Sequence, residues 1–160
     1  MNKAYLLTGG NLGERKENLR NARVQIALHC GDIVKSSSIY ETAAWGKTDQ
    51  PTFLNQVLEL ATVLNAEQLM KEILEIEKRL GRIRQEKYGP RIIDIDMLLF
   101  NNEIIDSSFL KLPHPEIQNR RFALIPLSEI APNEIHPVFK KTIAELLKEC
   151  PDQLEVKKYS

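Results

Sequence analysis

Residues 89–100, GPRIIDIDMLLF, place two aspartates inside an otherwise apolar run. A run of this kind, opened by glycine and proline, predicts a buried β-strand. Burying an unpaired carboxylate costs several kcal/mol or forces it to bind a proton. Because side chains alternate along a strand, Asp94 and Asp96 are expected on one face, roughly 7 Å apart. The two carboxylates can therefore share one ligand.

Two carboxylates this close repel each other unless one is protonated or a cation lies between them. Hard oxygen ligands suit Mg²⁺ better than Zn²⁺, and no His or Cys stands beside the pair. The simpler interpretation is that Asp94 and Asp96 face solvent or pair with Arg91.

A basic segment precedes this strand. Between residues 79 and 91, five basic residues stand against one acidic residue, Glu86; the five are Arg79, Arg82, Arg84, Lys87 and Arg91. Taken alone, the segment could be a solvated run of charge. Carboxylates for Mg²⁺ next to arginine-rich sequence are, however, what a polyphosphate requires, since metals bridge phosphate oxygens and guanidinium groups neutralise their charge. The combination favours binding of nucleotide phosphates.

Familiar nucleotide-binding motifs are absent from the chain. It contains neither GxxxxGK[ST] nor the HRD and DFG signatures of protein kinases. In TGGNLGE, Thr8 stands where a GxGxxG motif needs glycine. We therefore interpret Gly9, Gly10 and Gly13 as residues that make a turn.

Hydrophobic periodicity predicts the order of the elements. The order is strand, helix, strand, strand, helix, strand, at residues 3–8, 14–30, 33–40, 53–64, 65–80 and 89–100. Asn101 and Asn102 suit a two-residue turn that would return residues 103–106 as an antiparallel strand, and a short helix is expected at 141–149. This order predicts an α+β sandwich of ferredoxin-like type, with helices packed on a largely antiparallel sheet.

Composition limits the classes of partner. The chain has 160 residues, 42% of them hydrophobic, which suits a single domain over residues 1–160. Its 22 basic and 22 acidic residues balance, so no overall field favours nucleic acid or a membrane. Two cysteines, no CxxC motif and no apolar run long enough to span a bilayer predict a cytoplasmic protein, which we expect to be a monomer.

Motifs spread along the chain carry a family resemblance. They are GGNLG, SSIYET, DQPTFLN, EIEKRLGRIR, YGPRIIDIDMLLF, LPHPEIQNRRF and PLSEIAP. In this order and spacing the chain resembles the 6-hydroxymethyl-7,8-dihydropterin pyrophosphokinases of folate biosynthesis. The resemblance implies a ferredoxin-like fold and transfer of pyrophosphate from ATP to the pterin hydroxymethyl group, with AMP released.

The resemblance also implies roles for individual residues. Asp94 and Asp96 would hold two Mg²⁺ ions, with ATP as co-substrate, and Arg82 and Arg91 would assist the transfer. Other matched positions would bind ATP: Glu77, Arg84, Lys87, His114, Pro115 and Arg120. The pterin pocket would consist of Thr42, Ala43, Trp45, Phe53, Asn55 and Phe122, with the two phenylalanines on either side of the pterin and Asn55 on its polar edge.

The sequence departs from the family pattern in places. The family commonly has serine at Gly10, prolines where Ala43 and Ala44 stand, and in some relatives Arg and Trp at Lys87 and Tyr88.

Two other functions remain open. Paired aspartates on a ferredoxin-like sheet also occur in nucleotidyltransferases and cyclases, and a non-catalytic module could bind RNA or a small regulator, although that would predict a basic sheet face.

Overall fold

The computed structural model describes residues 1–43, 50–81 and 92–159. Its elements in chain order are β1 (Asn2–Gly10), α1 (Arg15–His29), β2 (Asp32–Ser36), β3 (Tyr40–Thr42), β4 (Phe53–Thr62), α2 (Ala66–Arg79), β5 (Asp94–Phe100), β6 (Ile105–Asp106), β7 (Lys111–Leu112), a 3-10 turn (Ile117–Asn119), α3 (Arg121–Ile130), α4 (Ile143–Glu149) and β8 (Val156–Lys158).

A six-stranded antiparallel sheet organises the fold. Its strand order is β5-β1-β4-β3-β8, and β2 also pairs with β4. Strand β4 is long enough to hold both short strands, β3 at residues 53–55 and β2 at residues 58–61. The predicted α+β class with a largely antiparallel sheet is confirmed.

The first core lies between the sheet and helices α1 and α2. Helical spacing places Leu19, Ala22 and Ile26 of α1 in this core. Helix α2 begins at a capping box, in which the Asn65 side chain accepts from Gln68 N at 2.8 Å and the Gln68 side chain accepts from Asn65 N at 2.9 Å. The N-cap predicted at Asn65 is therefore correct.

A second core covers the opposite face of the sheet. Here Tyr5, Leu7 and Val57 pack against α3 and α4. Helix α3 was not predicted, because Pro126 interrupts its apolar pattern; the helix accommodates the proline and buries it. The sheet is consequently covered by helices on both sides.

The strand predicted at residues 33–40 is wrong as a single element, since it is divided into β2 and β3. The break lies at Ser37, whose hydroxyl accepts a 2.9 Å hydrogen bond from Val57 N. A side chain thus takes the place of a backbone carbonyl beside β4. The ladder resumes at Tyr40, opposite Asn55.

The hairpin predicted after residue 100 is correct only at its turn. Asn101 adopts a positive φ of 48°, and Glu103 N donates to Phe100 O at 3.0 Å. Residues 103–106 do not return along β5; instead β6 pairs with β7 in a separate two-stranded sheet.

Two of the three glycines interpreted as turn residues lie in strand β1. Gly9 and Gly10 are its last residues, whereas Gly13 does lie at a positive φ of 68°.

The helices within residues 1–43, 50–81 and 92–159 are all too short or too polar to cross a lipid bilayer.

Candidate active site

The two aspartates of β5 lie on the sheet face that α3 and α4 cover further along. Their neighbours Ile93, Ile95 and Met97 point into the core beneath α1 and α2, so alternation turns both aspartates the other way. Asp94 and Asp96 are half-buried, at the end of the strand where that face is less covered. Both carboxylates therefore lie on one partly open surface.

Strand β5 is an edge strand, and two contacts hold its outer side. The backbone N–H of Ile95 donates a 2.7 Å hydrogen bond to Oε2 of the buried Glu77, on α2. The backbone N–H of His114 donates to Leu98 O at 2.9 Å. The segment after β7, rather than β6, consequently lies beside β5 and brings His114 to Asp94.

The imidazole of His114 is neutral near pH 7. Burial and, to a smaller extent, the Arg120 cation lower its pKa to about 4, although the carboxylates of Glu116 and Asp94 oppose this in part. Its Nδ1 accepts a 3.1 Å hydrogen bond from Glu116 N, so the neutral ring carries its proton on Nε2. His114 can therefore donate a hydrogen bond without adding charge. Pro115, which follows it, is exposed.

Helix α3 begins next to this histidine. Arg120 is its N-cap residue, and its guanidinium carbon lies 5.8 Å from the centroid of the Phe122 ring. The Phe122 ring packs partly buried against the core of that face. One turn of chain thus presents a cation and an aromatic ring on the face that bears the aspartates.

Strands β3 and β4 contribute three of the predicted pterin residues to this same face. Thr42 lies opposite Phe53 in the register, and Asn55 follows two residues later, so all three side chains point the same way. Thr42 and Asn55 are 3% and 4% exposed. Thr42 Oγ1 is buried without a hydrogen-bond partner, and none of the described residues forms a hydrogen bond with the Asn55 carboxamide.

An anchor joins β3 to α3 beside these residues. The Tyr40 hydroxyl donates a 2.6 Å hydrogen bond to Glu129, which also accepts from Ser38 N at 3.1 Å and from Ser38 Oγ at 3.0 Å. Burial and the hydrogen bond and negative charge of Glu129 raise the pKa of Tyr40 to about 12. The anchor fixes the helix that carries Phe122 relative to the strand that carries Thr42.

Gly9 connects the two halves of the face. It pairs with Asn55 on β4 and with Asp94 on β5, so the three residues form one row across adjacent strands. With strands about 4.8 Å apart, Asn55 and Asp94 are separated by about 10 Å, room for a ligand between them. Sequence reasoning missed Gly9, Tyr40 and Glu129; a glycine inside a strand pattern is the signal that could have identified the first.

The remaining predicted residues divide into two groups. Ala43 is exposed directly after β3, and Glu77 lies at the outer edge of β5. The others lie outside the described residues: Trp45, Arg82, Arg84, Lys87 and Arg91. Within the described ranges no three His, Cys, Asp or Glu side chains cluster closely enough to hold a metal ion by themselves.

Comparisons with known proteins agree with this arrangement. The family model described as 7,8-dihydro-6-hydroxymethylpterin-pyrophosphokinase (HPPK) matches residues 5–132. Two proteins named 2-amino-4-hydroxy-6-hydroxymethyldihydropteridine pyrophosphokinase are similar to the chain. The Aquifex aeolicus protein is 41% identical over 145 residues, which are 91% of this chain and 90% of that protein. The Bacillus subtilis protein is 44% identical over 130 residues, 81% of this chain and 78% of that protein.

A solved structure supports the fold. The wild-type Plasmodium falciparum HPPK-DHPS aligns with a TM-score of 0.71 at 19% identity, covering 93% of this chain and 43% of that one. This chain thus spans less than half the length of the solved chain that it matches. The family predicted from the sequence motifs is confirmed by the family model and by both relatives. The chain belongs to the 7,8-dihydro-6-hydroxymethylpterin-pyrophosphokinase family.

Proposed function

We propose that this chain catalyses the reaction for which its family is named. Pyrophosphate passes from ATP to the hydroxymethyl group of 6-hydroxymethyl-7,8-dihydropterin, and AMP is released, as a step of folate biosynthesis. The reaction takes place on the face of the sheet that carries Asp94, Asp96 and Asn55.

One observation carries the pterin half of the proposal. Thr42 Oγ1 is buried without a partner, and on the same face the carboxamide of Asn55, a residue only 4% exposed, forms no hydrogen bond with any described residue. Leaving the buried Thr42 hydroxyl unsatisfied costs about 1–3 kcal/mol, so this group is expected to meet a ligand, which the Asn55 carboxamide on the same face can also contact. A flat, polar-edged heterocycle suits them, because Phe53 and Phe122 lie on the same side and offer aromatic surfaces for stacking. Ala43 and Trp45 complete the pocket in this proposal.

The donor set at Asp94 and Asp96 fits Mg²⁺. Two carboxylates on one half-open face supply too few ligands for an ion held by protein alone, which agrees with the lack of a larger cluster among the described residues. Mg²⁺ characteristically takes one or two carboxylates and completes its shell with water and substrate phosphates. We propose that the pair holds two ions, which when bound would neutralise phosphate charge and orient the phosphate oxygens for in-line transfer.

The nucleotide half of the proposal involves residues on both sides of β5 in the chain. His114 offers a neutral Nε2–H donor and Arg120 a cation, and the charges of both Arg120 and Asp94 act on the His114 ring. We propose that both residues contact the phosphates. Arg82 and Arg91 neutralise the charge that develops during transfer. The further contacts to ATP in this proposal are Glu77, Arg84, Lys87 and Pro115.

The chemistry needs no covalent intermediate on the protein. The pterin hydroxyl oxygen forms a bond to the β-phosphorus while the bond from that phosphorus to the oxygen bridging it to the α-phosphate breaks. AMP leaves with that oxygen and its electron pair, and the hydroxyl proton passes to water. The chain holds the hydroxyl in line with the leaving oxygen. This orientation lowers the entropic part of the barrier, because the two substrates need not meet in the right geometry by diffusion.

Product analysis tests the proposal. Purified protein is incubated with MgATP and 6-hydroxymethyl-7,8-dihydropterin, and the nucleotides and pterins are separated by chromatography. AMP and a pyrophosphorylated pterin should appear in equal amounts, and neither should form without the pterin.

Other products would identify another function. ADP as the main nucleotide would indicate an ordinary kinase, and release of pyrophosphate without pterin would indicate a nucleotidyltransferase or cyclase. An inert mixture, in which calorimetry also detects no pterin binding, would exclude the pyrophosphokinase.

We further propose that residues 1–160 act as one catalytic domain and that the protein is a cytoplasmic monomer that binds neither nucleic acid nor membranes. The balanced charge of the chain supports this. Light scattering at the concentration of the assay, with a mass of about one chain expected, checks the monomer.

A further inference from the structure

Gly9 lies directly beneath the side chain of Asn55. A Cβ built on Gly9 would lie 2.1 Å from Asn55 Oδ1 and 3.2 Å from its Cγ. The first separation is far below any contact distance between carbon and oxygen. No residue with a side chain can therefore occupy position 9 while Asn55 keeps this orientation.

The register explains why the two groups meet. Gly9 is opposite Asn55 on β4 and opposite Asp94 on β5, so a side chain at residue 9 would stand between theirs on the same face. Because glycine leaves that space empty, the carboxamide of Asn55 lies across β1 toward Asp94. Its Oδ1 occupies the place that a Cβ on residue 9 would take.

We infer that Gly9 is a positioning residue for recognition of the pterin. The inference rests on the proposed function, in which Asn55 binds the polar edge of the heterocycle. With Oδ1 held over Gly9, the Nδ2 donors of Asn55 remain to meet an acceptor on the ligand.

The substitution Gly9→Ala tests this inference. It should raise the Kd for 6-hydroxymethyl-7,8-dihydropterin, measured with a non-hydrolysable ATP analogue present, by roughly tenfold or more, because the displaced carboxamide loses its hydrogen bonds. The Kd for the ATP analogue alone should stay within about twofold of the parent. Gly10→Ala is the matched control, since its side chain would face the opposite side of the sheet and the family commonly has serine there.

A double variant separates positioning from general damage to the strand. If Gly9 acts through Asn55, the variant Gly9→Ala/Asn55→Ala should bind the pterin no more weakly than Asn55→Ala alone. The inference would be overturned if the fold-changes in pterin Kd of the two single variants multiplied in the double variant. It would also be overturned if Gly9→Ala weakened the binding of pterin and of the ATP analogue equally. A Gly9→Ala variant that binds the pterin like the parent would overturn it as well.

Folding of the variants supplies an independent measurement. With Asn55 shortened to alanine, the carboxamide is removed and the other near neighbour of the added Cβ is Leu54 O, at 3.2 Å. If Gly9→Ala fails to fold, the double variant should fold; failure of both would attribute the crowding to the backbone and reject the role of Asn55. In folded Gly9→Ala, the side-chain amide resonance of Asn55 should shift. That shift does not require the pterin, so it tests the positioning even if the parent protein proves not to bind pterin.

Discussion

The backbone N–H of Ile95 donates a 2.7 Å hydrogen bond to Oε2 of Glu77, a residue that is only 4% exposed. Ile95 separates Asp94 from Asp96, so this bond fixes the edge strand at the residue between the two proposed metal ligands. Glu77 thus serves strand β5 directly, whatever it contributes to the binding of ATP.

Replacing Glu77 by alanine should lower the free energy of unfolding by about 2 kcal/mol, because a buried amide loses a charged acceptor. The Mg²⁺ concentration needed for half-maximal turnover should also rise, since β5 is held less firmly. Urea unfolding and a Mg²⁺ titration measure the two effects. Glu75→Ala is the control, because that side chain is 56% exposed on the same helix. Unchanged stability combined with weaker ATP binding would assign Glu77 to the nucleotide alone.

Asp94→Ala and Asp96→Ala should each abolish turnover and leave the fold largely intact, because both side chains lie outside the apolar core. Chelation of Mg²⁺ from the parent should have the same effect, and addition of excess Mg²⁺ should reverse it. Asp106→Ala, which removes an exposed carboxylate paired with Lys111, should stay active. Activity of either site variant within about tenfold of the parent, a barrier change near 1.4 kcal/mol, would contradict the metal assignment.

Arg82→Ala and Arg91→Ala should reduce the rate of transfer more than they weaken binding of ATP without pterin. The reason is that charge spreads over the phosphates chiefly in the transition state. Single-turnover kinetics and calorimetry measure the two quantities. Arg20→Ala removes a charge from the exposed side of α1 and should change neither. A loss of ATP affinity as large as the loss of rate would show that these arginines bind the ground state instead.

Tyr40→Phe should lower the free energy of unfolding by about 1–2 kcal/mol and weaken pterin binding, because Glu129 loses the 2.6 Å hydrogen bond that joins α3 to β3. Glu129→Gln should act similarly, and the two changes together should cost less than their sum. Tyr5→Phe, whose hydroxyl contacts Glu59 at 3.3 Å, should leave pterin affinity unchanged. If the losses of unfolding free energy in the two single variants added fully in the double variant, Tyr40 and Glu129 would act independently and not as one anchor.

The buried imidazole of His136 predicts a pH dependence of stability. Its Nδ1 accepts from Val138 N at 3.2 Å and from Phe139 N at 3.1 Å, and burial lowers its pKa. The unfolded chain, with a histidine pKa of about 6.5, therefore binds more protons than the folded chain as the pH falls below that value. The free energy of unfolding should consequently decrease on acidification through this range.

The variant His136→Asn isolates this effect, because the amide oxygen can still accept a hydrogen bond but does not titrate. Its free energy of unfolding should decrease less than that of the parent between about pH 7 and pH 5. Comparison of the two proteins cancels the contribution of His114, whose pKa is also lowered by burial. Parallel curves would show that His136 is not held neutral by the fold.

Local pattern was enough to predict the elements with regular periodicity and clear ends. Alternation along residues 94–97 places Asp94 and Asp96 on one face, and the spacing of apolar residues with the cap at Asn65 locates α2. Each of these properties depends on residues within a few positions of one another, so the chain encodes it locally. The order of motifs likewise identified the family before any contact was known.

Tertiary contacts decided the rest, because they join residues that no local pattern relates. The division of β2 from β3 depends on Ser37 meeting Val57, and α3 tolerates Pro126 because it packs against the sheet. Periodicity states which face of a strand is apolar, but not which strand lies beside it. The sequence alone therefore predicted a strand at Asn55 but a turn at Gly9, whereas only the antiparallel register of β1 and β4 laid the carboxamide over the glycine, where the missing Cβ leaves it room.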